Sequence, residues 1–171
     1  MRLAGLKYPD VSNGPGCRVS VFVSGCRLKC PGCFNSEAQD FQYGEEFTEE
    51  HIEDILEKLD YNWVSGLSLL GGDPMEPENQ ETVLKIILEA KKRQPNKSIW
   101  MWTGRKIGQV PFTEYTEDIL RNLDIVIDGP FIESLKDLGL EYRGSSNQRI
   151  LEKPLEVFLK ERIQILEEKA S

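Results

Sequence analysis

The chain has 171 residues, with 21 Lys and Arg against 29 Asp and Glu, a single His and a formal net charge of −8 at pH 7. Acids in that excess argue against a surface that tracks nucleic-acid phosphates, which needs clustered Lys and Arg. A hydrophobic fraction of 39% beside 29% charged residues suits a folded globular protein, and no run approaches the ~18 apolar residues of a membrane span. Neither nucleic acid nor membrane is expected as a partner, and without a signal-like N-terminal segment the expected location is cytoplasmic.

Short apolar runs closed by Gly or Pro read as buried strands, and 3.6-residue patterns between them read as helices. The first strand runs from Arg18 to Val23 and ends in Ser24-Gly25, just ahead of Cys26, Cys30 and Cys33. Thr48 caps a helix to about Leu59, with Ile52, Ile55, Leu56 and Leu59 on one face. The acidic pairs Glu45-Glu46 and Glu49-Glu50 complement that helix start. A strand at Leu67 to Leu70 ends in Gly71-Gly72-Asp73-Pro74 and leads to a helix from about Glu78 to Arg93, stopped by Pro95. Next come a strand from Ser98 to Trp102 ending in Thr103-Gly104, a short helix near Thr116 to Leu123, and a strand from Asp124 to Ile127 ending in Asp128-Gly129-Pro130. Arg143 to Arg149 is polar and reads as a surface loop. A helix over 154–171 follows, its stripe of Leu155, Phe158, Leu159, Ile163 and Leu166 expected to be mainly core.

Strands alternating with helices imply α/β architecture with a parallel sheet and right-handed crossovers. An eight-unit barrel takes ~250 residues, so a partial, open barrel or a doubly wound sheet remains, over one domain spanning 1–171. Loops that follow the strands gather at the carboxyl edge, where α/β sites are built.

Cys26-x3-Cys30-x2-Cys33 puts three thiols on one loop. Three thiolates hold a four-iron cluster with one iron left open, whereas structural zinc wants four ligands. A zinc knuckle completed by Cys17 or His51 stays open on spacing alone. Against it, Cys17 lies across a strand and reads as a small buried hydrophobe, and His51 reads as a solvated helix residue.

The cysteine triplet after a first strand, with a Gly-Gly-acidic-Pro turn after the next, resembles the radical S-adenosylmethionine (SAM) superfamily. More narrowly, Asn13-Gly14-Pro15-Gly16, Phe22 through Asn35, Asp128-Gly129-Pro130-Phe131 and Arg143-Gly144-Ser145-Ser146-Asn147-Gln148-Arg149 resemble the family that activates anaerobic ribonucleoside-triphosphate reductase. Two positions depart from the wider superfamily: Gly32 stands where an aromatic residue is usual, and Asp73 replaces Glu. The resemblance implies a partial, open (β/α) barrel with a mostly parallel sheet. It implies a [4Fe-4S] cluster on Cys26, Cys30 and Cys33, and SAM chelated to the open iron and reductively cleaved to a 5′-deoxyadenosyl radical. A glycine Cα–H of the reductase large subunit is the implied target, and a flavodoxin-like protein the implied electron donor. Gly32, Phe34, Gly71, Gly72, Asp73 and Pro74 are implied SAM contacts, with Asp73 accepting from the ammonium. Trp102 at its strand end, Asp128 and Arg143 are further candidates. Core packing for Trp100 and Trp102, and a turn-acceptor role for Asp128, remain the alternatives.

Overall fold

A computed structural model describes residues 1–170, which form a mixed α/β fold of seven strands in one sheet and four α-helices. In chain order these are β1 (Arg2–Asp10), β2 (Cys17–Val23), β3 (Glu45–Glu46), α1 (Glu49–Leu59), β4 (Val64–Gly71), α2 (Pro77–Arg93), β5 (Ser98–Trp102), α3 (Thr116–Arg121), β6 (Ile125–Asp128), β7 (Arg149–Glu152) and α4 (Pro154–Ala170). The sheet order is β3-β1-β2-β4-β5-β6-β7, open between its two edges. The four strands expected from sequence form its centre and are parallel, with Val19 opposite Leu67, Leu67 opposite Ile99, and Met101 opposite Val126. A mostly parallel sheet describes only this centre. β1, β3 and β7, which the sequence reading did not contain, pair antiparallel on the flanks. Among the described residues no helix is long and apolar enough to cross a membrane.

The pleat sorts the central strands into two faces. Val19, Val21, Val23, Leu67, Leu69, Ile99, Met101 and Val126 pack with Ile52, Ile55, Leu56 and Leu59 of α1 and Val83, Ile86, Ile87 and Ala90 of α2 in one apolar core. All the crossover helices thus cover one face, and the doubly wound alternative, which needs helices on both, does not apply. The opposite face is mixed: Leu70, Trp100 and Ile127 are buried on it beside the polar Arg18, Ser20 and Ser68. Arg18 is fully buried there, donating to Ser68 Oγ at 2.7 Å, Ser98 Oγ at 3.0 Å and the Leu67 carbonyl at 2.7 Å, with Trp100 at 5.5 Å. These bonds hold the Asn13–Gly16 loop down as well, because Ser68 Oγ donates to the Asn13 carbonyl at 2.6 Å.

Asp10, also fully buried, accepts from Ser20 Oγ and Asn13 Nδ2 at 2.6 Å each, and from the Ser12 N–H at 3.0 Å. Burial opposes its charge, yet donors from Ser20, Ser12, Lys7 and Asn13 outweigh it and hold the carboxyl well below the usual range. A group depressed in this way stabilises the fold above its unfolded value near 4 and loses that contribution as pH falls through the lowered value. Thermal melts should therefore decline from about pH 4 downward, and Asp10→Asn should flatten that decline while lowering the melting temperature at pH 7.

Local chemistry explains the helix boundaries, with one exception. Thr48 and His51 form a capping box at α1, the Thr48 N–H donating to His51 Nδ1 at 3.0 Å, so His51 is a cap and not a merely solvated residue. Glu49 and Glu50 occupy the first turn of α1 as expected, whereas Glu45 and Glu46 instead form β3. Pro77 opens α2, and Lys91, Lys92 and Arg93 close it. The exception is α4: Leu159, Ile163 and Leu166 are 41%, 57% and 57% exposed, contrary to the core stripe expected. The helix docks through its first half only, where Phe158 stacks on Phe112 at 6.3 Å and Glu161 accepts from the Gly108 N–H at 3.1 Å. Cys17 is half-buried at the start of β2, where a buried position was expected. Beside β2's start, Trp63 packs at 5.6 Å from Tyr8 and 5.7 Å from Tyr61, and remains 54% exposed.

Candidate metal centre

The cysteine loop leaves the carboxyl end of β2 and is tied at once to its neighbours. The Gly25 N–H donates to the Ala38 carbonyl at 2.8 Å and the Cys26 N–H to the Gln39 carbonyl at 3.1 Å. Gly25 has φ +98, and a Cβ there would lie 2.4 Å from the Phe41 ring, so the close approach admits only glycine. The Cys33 N–H bonds the Cys30 carbonyl at 3.2 Å, closing a turn in which Gly32 has φ +72.

The turn after β4 is laced to the same loop. The Gly72 N–H donates to the Val23 carbonyl at 2.7 Å, the Asp73 N–H to the Gly25 carbonyl at 2.9 Å, and Asn35 Nδ2 to the Gly71 carbonyl at 3.3 Å. A Cβ on Gly72 would sit 2.5 Å from the Gly25 oxygen, which is why the backbones can meet there. The cysteine loop and the Gly71–Pro74 turn are thus one structural unit, and Gly104 joins it, since a Cβ there would touch Leu28 at 2.4 Å.

Asp73 lies in that unit with its carboxylate turned inward and fully buried. One oxygen accepts from the Met75 N–H at 2.9 Å; the other accepts from Thr103 Oγ1 at 3.0 Å and Arg105 Nη1 at 2.9 Å. Burial raises its pKa against the pull of these donors. Spacing in the sequence did not single out Arg105, Glu76 or Asn79, which complete the surroundings. Asn79 Nδ2 donates to the carbonyls of Ser24 and Asp73 at 3.0 Å each.

The remaining candidates divide. Trp102 ends β5 beside this unit, and its Nε1 donates to the Tyr142 carbonyl at 2.8 Å; Trp100 and Trp102 share a face at 6.0 Å. Phe34 stands 78% exposed beside the third cysteine. Arg143 Nη1 donates to the Gln148 carbonyl at 3.1 Å, but its Nε is buried with no protein acceptor, a donor without a partner among the described residues. Asp128 is fully buried and accepts from the Ile107 N–H at 2.7 Å and Arg149 Nε at 2.8 Å, which gives its carboxylate to the fold. Arg149 bonds Glu161 as well, at 2.7 Å.

The donor set fits a three-cysteine cluster better than four-ligand zinc. Cys26, Cys30 and Cys33 are free thiols on one loop, with Cys26 buried and the others half-buried. Among the described residues no three His, Cys, Asp or Glu side chains converge as a finished metal site. Both fourth ligands proposed for zinc lie elsewhere: Cys17 is at the far end of β2, roughly 20 Å along the strand, and His51 caps α1. Burial, with Asp73 and Glu76 nearby, pushes the Cys26 thiol up to about 11, so a metal must displace that proton. Cys17→Ser should leave iron uptake unchanged; loss of metal, read by elemental analysis, would restore the zinc reading. A cavity of about 510 Å³ along the edge of β1, lined by Leu3, Gly5, His51 and Asp54 among others, holds none of these thiols.

A family model described as a 4Fe-4S single cluster domain matches residues 12–151. The chain is 41% identical over 146 residues to the anaerobic ribonucleoside-triphosphate reductase-activating protein of Vibrio cholerae, covering 84% of this chain and 93% of that one. Proteins of the same name from Enterobacteria phage T4 and Escherichia coli K12 are 40% and 38% identical over 144 residues each. Those matches cover 84% and 82% of this chain, and 89% and 92% of the relatives.

Proposed function

The chain belongs to the family of anaerobic ribonucleoside-triphosphate reductase-activating proteins, and we propose that it is the enzyme that installs a glycyl radical on the large subunit of such a reductase. The observation that supports this most directly is the free-thiol triplet of Cys26, Cys30 and Cys33, laced to the Gly71–Pro74 turn at the carboxyl edge of an open sheet. On this reading the sheet is a partial (β/α) barrel of the radical-SAM type, and its open side admits a protein substrate.

Cys26, Cys30 and Cys33 would hold a [4Fe-4S] cluster through their three thiolates, with SAM bound beside it. The chemistry such a site would supply when loaded is one-electron cleavage of the SAM sulfonium and hydrogen abstraction from a glycine Cα, whose radical the flanking amides would stabilise. The chain's own part is placement and exclusion. The Gly71–Pro74 turn offers close-lying backbone to the ammonium, with Asp73 bracing it from within. Gly32 and Phe34 flank the third ligand, Trp102 walls the site, and the unpartnered Nε of Arg143 is a donor for a carboxylate. A flavodoxin-like protein supplies the electron, in the cytoplasm.

Electron paramagnetic resonance of anaerobically iron–sulfide-reconstituted, reduced protein, with and without SAM, tests this reading. A cluster signal that changes on adding SAM is the expected result. Zinc retention with no cluster signal would return the cysteines to a structural role.

A further inference from the structure

Charged side chains from three separate segments converge behind Cys26. Glu76, fully buried at the start of α2, accepts at 2.9 Å from the Arg27 backbone N–H, which belongs to the peptide joining Arg27 to Cys26. The same carboxylate accepts from Arg27 Nη1 at 2.6 Å and from Arg105 Nη2 at 2.7 Å. Arg105 reaches across to Asp73 at 2.9 Å, so one guanidinium bridges the carboxylates of the turn and the helix start. Arg27 continues to Glu78 at 2.9 Å and lies 4.5 Å over the Phe41 ring. The group that fixes the peptide after Cys26 is therefore also a negative charge excluded from water.

We propose that Glu76 is a positioning residue for the cluster: it anchors the loop at its first ligand and, with Arg27 and Arg105, sets the field in which the cluster accepts its electron. This rests on the reading of Cys26, Cys30 and Cys33 as the cluster ligands. Adding an electron makes the cluster more negative, which a nearby fixed anion opposes and a fixed cation favours, and burial keeps the effect from being screened. Groups that hold a ligand from behind tune a metal centre in this way.

The test is a redox titration followed by electron paramagnetic resonance on reconstituted wild type, Glu76→Gln and Arg27→Gln. Glu76→Gln keeps the size and one acceptor oxygen but drops the charge. Its ratio of reduced to oxidised cluster at a fixed poise should rise about tenfold, equivalent to about 59 mV for a one-electron couple. Arg27→Gln should shift the potential the opposite way and by less, because that side chain is 53% exposed. Loosening of the loop alone would lower cluster content without giving shifts of opposite sign. Unmoved potentials in fully loaded variants, or shifts in the same direction, would overturn the proposal. Should Glu76→Gln fail to fold, the exposed Arg27→Gln decides it, and a potential that does not fall overturns it. A wild type that takes up no cluster would instead sink the ligand assignment, and the proposal with it.

Discussion

Cys26→Ala, Cys30→Ala and Cys33→Ala should each bring the iron and sulfide content of reconstituted protein to background, and glycyl-radical formation on the reductase with it. A cluster with three protein ligands has none to spare, because one iron is already open, and the nearest surplus thiol, Cys17, is at the other end of β2. The loss should be chemical and not conformational. Cys30 and Cys33 are only half-buried, and substitutions at such positions usually stay within about 0.5 kcal/mol. Melting of the metal-free Cys30→Ala and Cys33→Ala proteins should therefore match the metal-free wild type. A single variant that keeps a full cluster would show that another group can serve as ligand.

The second large effect is expected in stability, at Arg149. In sequence this residue closes a polar segment that reads as a surface loop; its contacts show it joining β7 to Asp128 at the end of β6 and to Glu161 of α4. Asp128 is fully buried, so Arg149→Met would leave a carboxylate in the interior with the Ile107 N–H as its remaining donor. Removing one partner of a buried pair costs several kcal/mol. Because Arg149 is itself 39% exposed, a loss of about 3 kcal/mol is expected, at the low end of that range. At 2–4 °C per kcal/mol for a chain of this size, the melting temperature should fall by roughly 6–12 °C. Adding Asp128→Asn should recover part of the loss, giving a coupling of order 1 kcal/mol in the double-mutant cycle. A melt within 2 °C of wild type would mean that Arg149 is free to act elsewhere.

The parallel centre was legible because each of its strands is a run of apolar residues closed by Gly or Pro, and the intervening helices carry clear apolar faces. The flanks were not. Gly5 and Pro9 break the β1 sequence, β3 is two glutamates, and the four residues of β7 are ordered by β6 and not by their own pattern. At the site, the cysteines and the Gly71–Pro74 turn could be read because local spacing carries the signal. Glu76, Asn79 and Arg105 could not, because their meaning comes from partners at positions 24, 27 and 73 that only the fold brings close. The stripe on α4 misled for a related reason: helical periodicity reports an apolar face, not how much of it finds a partner.

The three tryptophans are sorted by the fold into two optical populations. Trp63 is half in water at the amino end of β4, whereas Trp100 is 9% exposed and Trp102 ends β5 beside the cysteine loop. Trp63 precedes β4, whereas Trp100 lies opposite Ser68 and Trp102 two residues further toward the carboxyl edge, which puts roughly 15–25 Å of strand between Trp63 and the pair. An iron–sulfur chromophore on the loop would take excitation from the sheltered pair much more efficiently than from Trp63. Filling the site should therefore dim the blue side of the intrinsic emission and leave a red shoulder, so the unlabelled protein reports its own loading.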